Sequence, residues 1–276
     1  MNVSIRLPLC TAAALLLLLP ATGCNKLKAR DQLNKGVQAY KSARFEEAVD
    51  HFQTAISLDP SLKTAKLYLA TAYASQVVPD VKTADNIKNA MNAINLFQEV
   101  LQESPNGVDV PALKGIGALY LEIDQPDKAK EYQQKVIAAN PKDAEAHYTI
   151  GVIDWKAAYN NAIPVRNKLG QQDDGSPIKD KKACAELAAE NTPLVDEGID
   201  NLQKAIDNRA NYSDAMAYIN LMYRRKAELE CGNDDARKAD IAEAEKWLQK
   251  AMDAKKAEAA KKAASASGGI TIDPDK

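Results

Sequence analysis

Between Glu46 and Pro60 the chain alternates apolar and polar residues on a helical period. Ala48, Phe52 and Ala55 stand at i, i+4 and i+7, and Asp59-Pro60 closes the run. Residues so spaced share one face of an α-helix. The pattern returns as Ala93, Phe97, Val100 and Pro105, and again as Ala129, Gln133, Val136 and Pro141. It returns a third time as Gly198, Leu202 and Ala205, with Ala210 where proline stood, and last as Ala244, Leu248 and Ala251. Each of these helices is preceded by another stretch of helical spacing, for example Leu33, Val37 and Tyr40, or Tyr68, Leu69 and Tyr73. Self-similarity at a period in the thirties predicts stacked helix pairs, each pair burying its apolar stripe against the next.

Gly36, Tyr40, Phe45, Ala48, Phe52, Ala55 and Pro60 fall at the offsets of the tetratricopeptide repeat, and the chain resembles that family. The resemblance implies an all-α, right-handed superhelical solenoid of about five helix-turn-helix repeats, over residues 29–264. Small residues would let helix A of each repeat approach helix B closely, and proline would end helix B because it cannot continue the hydrogen-bond ladder. Repeat three is the most regular, with Leu113, Gly117, Tyr120, Ala129, Tyr132, Val136 and Pro141. Gly115-Ile116-Gly117 follows no strand, so it is not a nucleotide loop, and Gly117 takes the small-residue position.

Three repeats carry enlarged turns. In repeat two the insertion centres on Val77-Val78-Pro79-Asp80. In repeat four roughly thirty-five extra residues follow Tyr159, a length that calls for structure of its own. The insertion reads as an elongated helix A, a polar turn from Gln171 to Pro177 and a short helix from Asp180 to Glu190, with Asn191-Thr192-Pro193 as an N-cap and proline at the first position of a helix B resuming at Val195. In repeat five the turn spans Cys231 to Lys238 and helix B runs from Ala239. Ala251 to Ala264 continues as an Ala/Lys-rich helix that caps the stack, and residues 265–276 form a disordered tail.

The N-terminus follows another pattern. Arg6 precedes an apolar run from Leu9 to Leu19, too short to span a bilayer, which ends in Pro20-Ala21-Thr22-Gly23-Cys24. Small residues before a cysteine resemble the lipobox of bacterial lipoproteins, with Ala21 where leucine is usual. That resemblance implies a signal peptide over residues 1–23, lipidation of Cys24 and a tether over residues 24–28. Asn25, rather than aspartate, resembles the outer-membrane sorting signal, so the body is expected in the cell envelope facing the periplasm, held to the membrane by lipid alone.

Composition narrows the function. Net charge is −2, so nothing in the charge balance points to nucleic acid. Only His51 and His147 are present, each isolated, and no metal-ligand spacing, nucleophile elbow or phosphate loop occurs. No catalytic residue, metal site or cofactor is therefore expected. With Cys10 in the signal and Cys24 at the lipid site, Cys184 and Cys231 remain as an even pair in an oxidising compartment. They stand at the same edge of the stack, either as a disulfide or as two free thiols, and a break at Pro193 would bring the two arms into register.

Repeat position assigns the groove to helix-A residues. Repeat two offers Leu67, Thr71 and Ser75, and repeat three Lys114, Ala118 and Leu121. Repeat four offers Tyr148, Val152 and Trp155, and repeat five Leu221, Arg224 and Arg225. Trp155 with Tyr148, Tyr159, Arg224 and Arg225 is the most partner-like cluster, since aromatics and arginine dominate binding hot spots. Weighed against this, Trp155 and Tyr159 could seal their own helix, and Arg224-Arg225-Lys226 reads as solvated charge at a helix end. The Lys and Asn pattern of a carboxylate clamp is not reproduced. The resemblance implies a scaffold binding other envelope proteins, with a role in outer-membrane or pilus assembly. The alternatives are a small-molecule or glycan carrier, with Trp155 and the tyrosines as platform, and last an enzyme.

Overall fold

The computed structural model describes residues 19–173 and 175–267, with side chains from Cys24 to Ala263. Residues 1–18, most of the expected signal peptide, and the residues of the expected tail beyond Ser267 lie outside that range. Among the described residues the fold is all-α, ten helices in chain order with no strand. They are α1 (Leu19–Lys41), α2 (Phe45–Leu58), α3 (Lys63–Ala74), α4 (Ala84–Gln102) and α5 (Val110–Glu122). α6 (Pro126–Ala139), α7 (Ala144–Lys168), α8 (Lys181–Asn208), α9 (Ser213–Glu228) and α10 (Asp234–Ser267) follow. α1 pairs with α2, α3 with α4, α7 with α8 and α9 with α10 as consecutive hairpins, and the fold class is that of a tetratricopeptide solenoid. The chain divides into two bodies, one ending at Ala129 and one beginning at Lys130.

In the N-terminal body the repeated face is buried as its spacing requires. Ala48, Phe52 and Ala55 are fully enclosed, and Ala93, Phe97 and Val100 repeat this on α4. Burying a phenylalanine is worth about 1.5–3 kcal/mol, so each such position matters to its hairpin. Gly36 makes room for the first: a Cβ there would lie 2.5 Å from the Phe52 ring. Hairpins without insertions turn alike. Ala43 and Asp124 both adopt positive φ (56° and 58°), and the next N–H reaches back to Ala39 O and Tyr120 O. These are left-handed helix terminations that satisfy otherwise unpaired carbonyls. Asp109 caps α5 by accepting from Ala112 N, and Thr83 caps α4 by accepting from Asn86 N.

The enlarged turn of repeat two, residues 75–83, is tightly built. The buried Asn86 side chain accepts from Val78 N at 2.7 Å and donates to Val78 O and Val81 O at 2.9 and 2.7 Å. One amide thereby satisfies three backbone groups that a wide turn would otherwise leave open.

In the C-terminal body, Val195, Leu202, Ile219, Met222 and Trp247 form the core. Gly151 and Gly198 let helices close on Leu202 and Met222. His147 is buried and structural, with Nδ1 2.8 Å from Asn201 Oδ1 and Nε2 3.0 Å from Pro141 O.

Several sequence expectations need correction here. The elongated helix A of repeat four is present, with α7 running past Tyr159 and through Pro164 to Lys168, but the segment after it differs. The short helix and the helix resuming at Val195 are one continuous α8, with Pro193 inside it. Asn191 is not a cap. It is buried, donates to Ala158 O at 2.8 Å and accepts from Asn161. Proline costs one ladder bond there, but Leu187 and Val195 are buried on either side and hold the helix together. The true cap is Asp180, which accepts from Ala183 N at 2.8 Å. Helix B of repeat five begins at Asp234, with Asn233 accepting from Ala236 N, so its turn is shorter than Cys231 to Lys238. α10 also runs on through Ser265 to Ser267 rather than yielding to a tail at Ser265.

Candidate partner-binding site

Two helix-A faces bear on function, one in each body. In the N-terminal body α3 and α5 are the A helices of adjacent hairpins. Leu67, Thr71 and Ala74 fall at i, i+4 and i+7 on α3, and Pro111, Gly115, Ala118 and Glu122 form the matching stripe on α5. Together with Phe97 and Leu119 they line a groove of about 380 Å³. The Thr71 hydroxyl is spent on Leu67 O at 2.8 Å, so the lining is almost wholly apolar. Phe97 comes from helix B beneath and forms the floor. It can do so only because residue 115 is glycine: a Cβ there would lie 2.7 Å from the ring.

One end of this groove is acidic. Burial pushes the Glu122 carboxyl up from its ordinary value, and Asp80 adds to the shift. Asp80 comes from the enlarged turn of repeat two, where it holds a positive φ of 60°. Lys82 pairs with Asp124 at 2.7 Å near the same end. Lys114 is half-buried on α5, just before Gly115, and does not line the groove.

The C-terminal body carries the aromatic cluster. Tyr148, Val152, Trp155 and Tyr159 form one stripe of α7, and α9 meets it edge to face. Trp155 stacks on Tyr159 (5.5 Å between ring centres) and takes Tyr218 against its face at 5.4 Å. Tyr148 packs on Tyr218 and Tyr212. Burial, with help from Tyr218, pushes the Tyr148 hydroxyl up to about 12, so it stays protonated. Leu221 and Val152 are half-buried beside this cluster, and Arg224 donates to Asn220 of its own helix at 3.3 Å.

Arg225 is not solvated charge. It pairs with Asp173 at 2.7 Å and Glu228 at 2.8 Å, and its guanidinium covers the Tyr159 ring. Glu228 also meets Arg166, and both of these are 1% exposed. Arg166 donates to the carbonyls of Gln172 and Ser176 at 2.8 and 2.6 Å, so the loop 169–180 is clasped from within. Asp174 of that loop lies outside the described residues. Cys184 and Cys231 are joined by a disulfide beside Glu228, their Cα atoms 5.5 Å apart, with α8 unbroken at Pro193. The site residues thus divide. Tyr148, Trp155, Tyr159 and Arg225 are brought together but mostly spent on one another. Lys114 belongs to the N-terminal body, on the helix that forms one wall of the open groove.

Among the described residues no cluster of three His, Cys, Asp or Glu side chains could hold a metal ion, and no helix is long and apolar enough to cross a membrane.

Helical hairpins of this size with small residues at the crossings define a helical-repeat protein, and the comparisons name the repeat. Residues 88–151 match the tetratricopeptide repeat family. No curated protein sequence matches the chain. Among solved structures, a crystal structure of MamA superposes with a TM-score of 0.54 at 18% identity, covering 81% of this chain and 96% of that one. MamA 41-end from Desulfovibrio magneticus RS-1 gives 0.54 at 20% identity, covering 83% and 96%. YrrB, described as a TPR protein with an unusual peptide-binding site, gives 0.51 at 18% identity, covering 86% and 96%. At these identities the likeness establishes a shared fold.

Proposed function

We propose that the chain is a protein–protein interaction scaffold which holds an extended segment of a partner in the groove between α3 and α5. The observation that carries this reading is the groove itself: an open apolar trough of about 380 Å³ on the helix-A face, floored by Phe97. A volume of this size seats one or two large side chains. The peptide-binding site ascribed to YrrB, which shares the fold, supports the same kind of use.

The setting is the bacterial cell envelope, with the chain anchored by lipid on Cys24 and its partners among other envelope proteins of outer-membrane or pilus assembly. Support comes from the apolar run Leu9 to Leu19 ahead of Thr22-Gly23-Cys24, and from the exposure of Cys24. The Cys184–Cys231 disulfide suits an oxidising compartment. The work of the protein in this reading is done by a surface and needs no cofactor.

Crosslinking in intact cells followed by affinity capture and mass spectrometry tests the scaffold. A stoichiometric envelope protein is expected, and its loss on Ala118→Trp would place it in the groove. Capture of no protein would sink the proposal. Palmitate-analogue labelling tests the anchor: incorporation is expected in the wild type and absent in Cys24→Ala.

A further inference from the structure

Resting on the scaffold reading, we infer that the α3–α5 groove selects a partner segment with a large apolar residue followed closely by lysine or arginine. The apolar side chain sits on Phe97, between Leu67 and Ala118, and the cation sits beside Glu122 and Asp80.

The argument starts from what the groove lacks. Its walls are Leu67, Ala74, Pro111 and Ala118 over the Phe97 ring, and Thr71 has turned its hydroxyl to its own backbone. Such a lining offers an apolar side chain burial without asking it for a hydrogen bond. Polarity enters at one end only. There Glu122 lines the groove, and burial first and the charge of Asp80 second raise the cost of ionising it. Asp124 stands near, and its charge is met by Lys82. A cation arriving with the partner would relieve the remaining two, whereas a carboxylate would meet like charge. The groove therefore has the opposite polarity to a clamp for a chain-terminal carboxylate.

The enlarged turn of repeat two gives this end its shape. Asn86 pins Val78 and Val81 by three hydrogen bonds, which fixes Asp80 between them. That rigidity matters, because it keeps the exposed Asp80 near its half-buried neighbour. The single charged end sets the direction of the bound segment: apolar anchor over the middle, cation toward Glu122.

The test is a selection of random decapeptides displayed on phage against the full-length immobilised chain, with Ala118→Trp as the counter-target and Glu122→Lys as a second target. Ala118 is exposed, so a tryptophan there fills the trough without disturbing the core. Circular dichroism of both variants checks that the fold is kept. The expected winners carry Leu, Ile, Met or Phe with Lys or Arg one to three positions away. They should lose binding to Ala118→Trp and weaken by at least about tenfold on Glu122→Lys, since like charges brought together in an interface are costly. Winners that need the open groove but show no basic preference, or an acidic one, overturn this inference and leave the scaffold reading standing. Peptides indifferent to Ala118→Trp, or no peptides at all, overturn both.

Discussion

Replacing Gly151 by alanine tests whether close helix crossing, and not helix propensity, governs that position. A Cβ at residue 151 would lie 2.4 Å from Cγ of Leu202, and 2.8 and 3.1 Å from its two methyls. Leu202 is fully buried on α8. Carbon atoms rest about 3.5–4.0 Å apart, so α7 and α8 must separate by roughly an ångström. Overpacking of this kind costs about 1–3 kcal/mol, while alanine in place of glycine returns about 1 kcal/mol of helix propensity. The net expectation is a loss of roughly 1–2 kcal/mol. Leu202→Ala alone should cost about 2–5 kcal/mol through its cavity. Together the two should cost less than their sum by about 1–2 kcal/mol, because the new methyl enters the space that the leucine leaves. Both tryptophans of the chain, Trp155 and Trp247, are in the C-terminal body, so urea unfolding followed by their fluorescence reads this event locally. A Gly151→Ala protein more stable than wild type, or strict additivity in the cycle, would refute the reasoning.

Further expectations follow from the same body. Glu228→Gln leaves Arg166 buried with half its charge partners gone and should cost about 3–5 kcal/mol, read by the same unfolding assay. Removing the disulfide with Cys184→Ser and Cys231→Ser frees a loop of 47 residues and should cost up to about 4 kcal/mol, with the loop 169–180 first to gain protease sensitivity. Asp154 is 1% exposed, and burial pushes its carboxyl up to about 6 despite the Lys130 ammonium 2.6 Å away. Burial pulls that ammonium down, but its hydrogen bonds to Asp154 and Glu197 raise it overall. A raised carboxyl binds its proton more readily in the folded state, so between pH 6 and about 4 stability should rise as pH falls. Asp154→Asn should flatten that part of the profile and, at pH 7.5, leave stability unchanged or increased; a variant markedly less stable at pH 7.5 would show the ion pair to be net favourable.

The helical hairpins were legible because the crossings demand alternation of small and large residues at fixed spacing. Gly36 with Phe52, and Gly151 with Leu202, are contacts the spacing alone implies. What the spacing hid was decided by tertiary partners. Pro193 looks like a helix start, yet the helix passes through it because Asn191 is spent on the neighbouring helix and Leu187 and Val195 pin both sides. Arg225 looks like surface charge, and only the folding back of a distant loop brings Asp173 to it. The groove was partly visible: Leu67, Thr71 and Ala118 stood at helix-A positions. Its floor and its acidic end were not. Gly115 was passed over in favour of Gly117. A second small residue facing the preceding helix B, opposite a phenylalanine, was the available signal. Asp80 sits in an insertion, where repeat spacing says nothing.

The most direct test of the account is site-specific photocrosslinking from a benzoylphenylalanine placed at the exposed Ser75, on the rim of the groove beside Ala74, and separately at Met91, on the exposed face of α4. A partner adduct is predicted from position 75 and none from position 91. An adduct from position 91 with none from position 75 would contradict the claim that this protein recognises its partner through the helix-A groove.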